Sequence, residues 1–247
     1  MCGFCGFTGQ VENRDQVLKE MAAVITHRGP DSEGYYLDDG VAMAFRRLSI
    51  IDLESGSQPI YNGDKSLVLM FNGEIYNYRD LRRELLDAGH SFYTETDSEV
   101  LVHGFEEWGE DLLPKLRGMF AFAIWNPGDQ SLFIARDYFG IKPMHYTVLP
   151  DGELLYASEI KSILQHPGFV KEFNLAALDN YLSFQYSLPK ETFFKNVFCL
   201  PPAHFLRFQN GKVTEQRYWE PVFHPEEEMT LEEAVDAVDR VFTDSVE

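Results

Sequence analysis

MCGFCGFTG (residues 1–9) puts Cys2 and Cys5 at the head of the chain, within a run of glycines and phenylalanines. Three readings compete for it. The pair can be a redox or metal-binding C-x-x-C, Cys5 can be a small apolar residue in a buried strand, or Cys2 can be an N-terminal nucleophile exposed by removal of Met1. Each implies a different protein.

The rest of the composition narrows the choice. The chain holds three cysteines, Cys2, Cys5 and Cys199, too few for a paired disulfide framework. No second Cys/His pair follows at zinc-finger or zinc-ribbon spacing. A redox pair lowers its thiol pKa at a helix N-terminus, whereas Phe4, Phe7 and Val11 space this stretch as a strand. Cys5 therefore reads as a small hydrophobe. A chain of 247 residues, 45% hydrophobic and 14% aromatic, can bury one large domain, or a domain plus a fragment. The net charge of −19, from 21 basic and 40 acidic residues without a Lys/Arg cluster, argues against nucleic-acid partners. No apolar run approaches the roughly 18 residues of a membrane span, and no basic-then-apolar leader is visible. The expected location is the cytoplasm.

Periodicity supplies the outline. Residues 13–25 space Val17, Met21, Val24 and Ile25 on one helical face. The Gly/Pro-rich loop THRGPDSEG leads into a hairpin, GYYL and VAMAFRR about Asp38–Gly40. LVLMFN reads as a buried strand ending at NGEIYN, and a helix over 78–88 stops at Gly89. Thr96 and Glu99 fit a capping box for the next helix. MFAFAIW and SLFIARD are strands, followed by a hairpin about Pro150–Gly152, helices near 158–165 and 175–184, and a final hairpin through Gln209–Gly211. Leu182, Phe184, Phe193, Phe194 and Phe198 read as core. His103 and His145 read as satisfied core or surface histidines. Strand blocks alternating with helix blocks point to an antiparallel α+β layered fold. Residues 220–229 read as an acidic, proline-bracketed linker. Beyond them Thr230–Glu233 form a capping box, and Leu231, Ala234, Val235, Val238, Val241 and Phe242 keep helical spacing, a stripe that needs a surface.

An N-terminal cysteine carries its own chemistry. Its α-amine, with a pKa of about 7.7–8.0, can serve as base for its own thiol, so nucleophile and base sit on one residue. Acyl transfer also needs donors aimed at the developing oxyanion. Asn72–Gly73 offers a side-chain amide and an uncrowded backbone N–H, though alone the dipeptide reads as a turn.

MCG-F, HRGPDSEG, RRLSIIDL, FNGEIYNY, TDSEV, GMFAFAIW and RDYFGIKP occur here in one order and spacing. In these the chain resembles the N-terminal glutaminase domain of the glutamine-dependent asparagine synthetases, class II glutamine amidotransferases. The resemblance runs from Cys2 to about Trp219 and implies a four-layer α-β-β-α sandwich of two antiparallel sheets, the N-terminal-nucleophile fold. It implies that Cys2 attacks the amide carbon of glutamine to give a γ-glutamyl thioester and ammonia, and that Asn72 and Gly73 form the oxyanion hole. Arg47 would grip the α-carboxylate, Asp97 would pair with the α-ammonium group, and Glu74 would line the same site. The backbone of Leu48, Ser49, Ile50 and Ile51 would form the adjoining wall. HRGPD would shape a nearby loop, and Arg136–Asp137 with Lys142–Pro143 would build a structural turn.

The resemblance also sets the organisation: residues 2–219 the glutaminase domain, 220–229 the linker, 230–247 the first helix of a truncated synthetase domain. The glutaminase domain needs no cofactor and no metal, while ATP and Mg belong to the synthetase domain, whose S-G-G-x-D-S loop does not occur here. The expected partners are glutamine and that domain, and a homodimer stays open. Glucosamine-6-phosphate synthases and phosphoribosyl-pyrophosphate amidotransferases share the Cys and Asn-Gly elements but differ at HRGPDS. A non-catalytic regulatory module with the same fold is the other alternative.

Overall fold

A computed structural model describes residues 1–48, 56–225 and 229–246. The first sheet contains β1 (Gly3–Thr8), β2 (Ser32–Leu37), β3 (Val41–Arg47), β8 (His145–Val148), β9 (Leu154–Ala157) and β10 (Phe198–Cys199), in the order β10-β8-β9-β1-β3-β2. The second contains β4 (Ile60–Tyr61), β5 (Val68–Ile75), β6 (Gly118–Asn126), β7 (Ser131–Arg136), β11 (His204–Gln209) and β12 (Lys212–Arg217), in the order β12-β11-β7-β6-β5-β4. The strand pairs in both sheets are antiparallel.

Because side chains alternate along a strand, each sheet sends apolar residues to two faces. Phe4, Met43, Phe45, Val68, Met70, Ala123, Trp125 and Ile134 meet between the sheets. Cys5, Phe7, Ala42 and Ala44 turn the other way and pack on Val17, Leu18 and Met21 of α1 (Arg14–Ala23) and on Ile163 of α4 (Ile160–Ile163). On the far side Leu69, Phe71, Phe120 and Phe122 pack on Leu81 and Leu85 of α2 (Tyr78–Asp87) and Leu101 of α3 (Glu99–Trp108). Three apolar seams separate four layers, α-β-β-α, as the family resemblance implies. Trp125 Nε1 donates to Asp38 Oδ2 at 2.6 Å, which ties the β2–β3 hairpin to the opposite sheet.

The face alternation answers the question of the two cysteines. Three residues apart on one strand path, Cys2 faces the space between the sheets and Cys5 faces α1, so their thiols cannot meet. Cys5 is fully buried, and desolvation pushes its thiol up to about 12 against the opposing Ser162 hydrogen bond and the Arg46 charge. Such a thiol is inert. Cys5→Ser is expected to leave any chemistry of Cys2 intact and to cost about 1–3 kcal/mol through burial of a hydroxyl. Chemical denaturation measures that cost, and an equal loss of activity at matched folded fraction would revive the paired-thiol reading.

Several elements depart from the sequence reading. β5 runs on through Asn72–Gly73 to Ile75, so the dipeptide lies within a strand. The Thr96–Glu99 capping box does not form. Glu99 instead accepts the backbone N–H groups of Tyr93 and Thr94 at 2.8 and 2.7 Å, while Thr96 Oγ1 stands 2.9 Å from Ser98 Oγ. On α5 (Leu175–Phe184), Leu182 and Phe184 are exposed, and Phe193, Phe194 and Phe198 are half-buried. α6 (Leu231–Val246) does carry its box, with Thr230 N–H donating to Glu233 Oε2 at 2.8 Å, and its apolar stripe is exposed.

Candidate active site

Cys2, Arg47, Leu48, Asn72, Gly73, Glu74 and Asp97 all line one cavity of about 310 Å³, the scale of a single small metabolite. Ser49, Ile50 and Ile51 lie outside the described residues. The cavity opens at one end of the space between the sheets, and strand register explains who reaches it. Gly3 pairs with Arg46 across β1 and β3, so Cys2 and Arg47 continue the inward-facing rows of Phe4 and Phe45. From the second sheet, Asn72 continues the inward-facing row of Val68 and Met70.

The thiol is held from two directions. Leu48 N–H donates to Cys2 Sγ at 3.4 Å, and the Leu48 carbonyl stands 3.6 Å from it. Arg28, from the HRGPD loop, donates from Nε to the Cys2 carbonyl at 2.9 Å and from Nη1 to Glu159 Oε1 at 3.0 Å. A Cβ on Gly3 would come within 2.8 Å of Arg28 Cδ, so Gly3 lets this side chain lie flat over the strand. Burial works against the charge of Glu159, but bonds from Lys161, Arg28 and His27 outweigh it and hold the carboxyl down at about 2. It stays ionised and keeps Arg28 in place.

Two donors face the cavity unfilled. Asn72 is 2% exposed, yet its Nδ2 has no hydrogen-bond partner among the described residues. An unmet buried donor costs on the order of 1–3 kcal/mol, which a bound oxygen would recover. The second donor follows from the strand edge. Phe120 N–H and C=O both bond to Asp137, on the β7 side, so its partner Gly73 points its backbone groups away from β6. Its neighbours along that edge are satisfied: the Gln58 amide spans Phe71 N–H and C=O at 2.6 and 2.8 Å, and Asp97 Oδ2 accepts Ile75 N–H at 2.8 Å. Gly73 N–H lies between them, with no hydrogen bond among the described residues. A Cβ here would sit 2.2 Å from the Met119 carbonyl, so only glycine fits.

Charges of both signs meet in the cavity. Arg47 is 8% exposed and Lys142 5% exposed, opposite the carboxylates of Glu74 and Asp97. Burial raises the Asp97 carboxyl to about 6; the nearby Glu74 charge adds to the rise and the Ile75 amide opposes it. Burial also raises Glu74, with Lys142 pulling it back.

Lys142 is the residue that sequence reasoning placed only in a turn. The turn exists: Asp137 accepts the N–H groups of Phe139, Ile141 and Lys142, and Arg136 donates to the Lys142 and Gly140 carbonyls. It delivers the Lys142 side chain into the cavity, with Nζ 3.7 Å from Met1 Sδ. Thr96, which the sequence marks only as a helix cap, also lines the cavity with Ser98 and Gln58.

Comparison with known proteins gives the family. Residues 1–219 match the family described as glutamine amidotransferase domain. The chain is 41% identical over 247 residues to asparagine synthetase [glutamine-hydrolyzing] 1 of Bacillus subtilis, covering 96% of this chain and 39% of that protein. It is 40% identical over 177 residues to asparagine synthetase B [glutamine-hydrolyzing] of Escherichia coli, covering 70% of this chain and 32% of that protein. The chain thus spans well under half the length of these relatives. Among solved structures, the glutamine phosphoribosylpyrophosphate amidotransferase of Bacillus subtilis superposes with a TM-score of 0.64 at 18% identity, covering 90% of this chain and 50% of that one. That likeness concerns the fold. No helix among the described residues is long and apolar enough to cross a membrane. The family match over residues 1–219, together with the relatives above, makes this chain a member of the glutamine amidotransferase domain family.

Proposed function

We propose that the chain is the glutaminase half of a glutamine-hydrolysing asparagine synthetase, with Cys2 as nucleophile. One observation carries the reading: a thiol and two donors with no partner among the described residues, Asn72 Nδ2 and Gly73 N–H, border the same cavity. With Met1 removed, the Cys2 α-amine takes the thiol proton. The thiolate attacks the side-chain amide carbon of glutamine, and the two donors receive the developing oxyanion. The C–N bond breaks, the protonated amine gives its proton to the leaving nitrogen, and ammonia departs. Water, deprotonated by the same amine, then cleaves the thioester to glutamate and regenerates Cys2. Arg28 is a positioning residue that acts through the Cys2 carbonyl.

A free amino acid has opposite charges at its α-carbon, so Arg47 and Asp97 suit its carboxylate and ammonium groups. Fixing both ends holds the amide at the thiol. Arg47→Lys keeps the charge but loses the guanidinium fork, and kcat/KM for glutamine should fall about tenfold to hundredfold, chiefly through KM. Steady-state glutamate release measures this; an unchanged KM would remove Arg47 from the carboxylate site.

Asp97 makes glutamine capture pH-dependent. As pH falls through about 6, the Asp97 carboxyl takes up a proton and loses its hold on the ammonium group, so KM should rise. Asp97→Asn should give a high KM with that pH step gone. The linkage has a definite sign: because folding raises this carboxyl, the ligand-free protein gains stability from it as pH falls through 6 and loses it as pH rises.

The proposal extends to organisation. Residues 2–219 form the glutaminase domain, 220–229 the linker and 230–247 the first helix of the synthetase domain; residues 226–228 and 247 lie outside the described residues. The exposed stripe of Leu231, Val235, Val238 and Phe242 supports this, since such a face is stable when covered. ATP and Mg would bind in that further domain, which would pass the ammonia to activated aspartate. The glutaminase step itself uses only residues of this chain. Release of glutamate and ammonia from glutamine by the processed chain, absent in Cys2→Ala, tests the reading.

A further inference from the structure

Away from the cavity, His90, His103 and Glu106 bring ligand atoms to a common point, all within 4.8 Å of one another. His90 follows α2 directly after Gly89, and His103 and Glu106 lie one turn apart on α3. The hydrogen bonds around the two rings assign their protons. Burial opposes the charge of Glu99, but bonds from His103, from Thr94 Oγ1 and from the Tyr93 and Thr94 amides outweigh it and hold its carboxyl below the usual value. An ionised carboxylate only accepts, so His103 Nε2, 3.3 Å from Glu99 Oε1, carries the proton. His90 Nε2, 3.0 Å from Glu107 Oε2, carries its proton likewise.

Both Nδ1 atoms face the same Glu106 oxygen, at 3.5 Å from His90 and 3.6 Å from His103. His103 is 1% exposed, and its Nδ1 has no hydrogen-bond partner among the described residues. These separations are long for hydrogen bonds. The two separations to Glu106 are close to the edge of roughly 3.3–3.5 Å expected between ligands of a tetrahedral ion with bonds of about 2.0–2.2 Å, and all three atoms lie within 4.8 Å, so a bound ion would draw the rings together.

We propose that His90 Nδ1, His103 Nδ1 and the Glu106 carboxylate form a site for a divalent transition ion of the zinc type, which clamps α3 to the segment after α2. The ligand set is two imidazoles and one carboxylate, suited to zinc rather than to calcium or magnesium. Glu99 and Glu107 orient the two rings through their second nitrogens, as carboxylates do at metal-bound histidines. Glu106 is 38% exposed, so the fourth position opens to water. The proposal departs from the sequence reading, which takes His103 as a satisfied histidine and assigns the domain no metal. The clamp also bears on the cavity, because Glu99 opens the helix that Asp97 precedes.

The test uses the 247-residue chain, stripped with a chelator and titrated with zinc chloride at neutral pH. One zinc per chain should bind, and Tm should rise by roughly 5–10 °C at about a hundredfold excess over Kd. Magnesium chloride should have no such effect. His90→Asn and Glu106→Gln should each weaken zinc binding at least about tenfold, while His204→Asn, outside the cluster, should not. Should a variant fold poorly, nitrogen NMR of the unmodified chain supplies the answer: zinc should shift Nδ1 of both His90 and His103. Zinc that leaves both resonances in place, or binds equally well to the two cluster variants, overturns the proposal. So does a chain whose Tm is unmoved by zinc.

Discussion

Cys2→Ala is expected to leave no measurable glutamine hydrolysis, and a chain that retains Met1 is expected to be equally inactive. The two failures have different causes. The alanine variant lacks the sulfur that forms the thioester. The Met1-bearing chain keeps the sulfur, but its Cys2 nitrogen is part of an amide and cannot accept a proton. Met1 also lines the cavity, where it occupies space beside Lys142. Intact-mass analysis sorts processed from unprocessed chains, and glutamate release is read on each. Equal rates from the two would contradict the role of the α-amine.

Asn72→Ala carries the second large effect. Its Nδ2 is buried with no partner among the described residues, which suits an oxygen that arrives with the reaction. An oxyanion exists only near the transition state, and removal of one such donor typically lowers kcat by about 100-fold to 1000-fold with little change in KM. Arg47→Lys has the opposite signature, with KM moving most. If Asn72→Ala raised KM and spared kcat, the amide would be a substrate-binding group and the oxyanion assignment would fall. A purely structural effect is expected to be small, since Asn72 Nδ2 satisfies no group among the described residues.

The layered fold was legible because strand alternation and helix spacing both survive in single segments. Phe4, Met43 and Met70 face one way, Cys5, Ala44 and Leu69 the other, and that pattern alone demands apolar surfaces on both sides of each sheet. The site was legible through family motifs rather than through local pattern. Asn72–Gly73 looks like a turn because glycine is usually a breaker, yet here close approach by the Met119 carbonyl demands it within a strand. The Thr96–Glu99 box fits the capping pattern, but Glu99 is drawn to the Tyr93–Thr94 backbone and His103 instead. Lys142 escaped because its place in the cavity depends on a turn built by Asp137 and on distant strands. Leu182 and Phe184 were read as core since hydrophobicity alone cannot say which surface covers a helix, and among the described residues none buries them.

Glutamine is expected to acylate the thiol of Cys2 during turnover. Acid quenching of processed chain, followed by mass analysis of the N-terminal peptide, reads that thioester. One glutamyl group on Cys2, removed by hydroxylamine and absent from Cys2→Ala, is the predicted result. Glutamate release with an unmodified Cys2, or with the glutamyl group on Cys5 or Cys199, would contradict the mechanism.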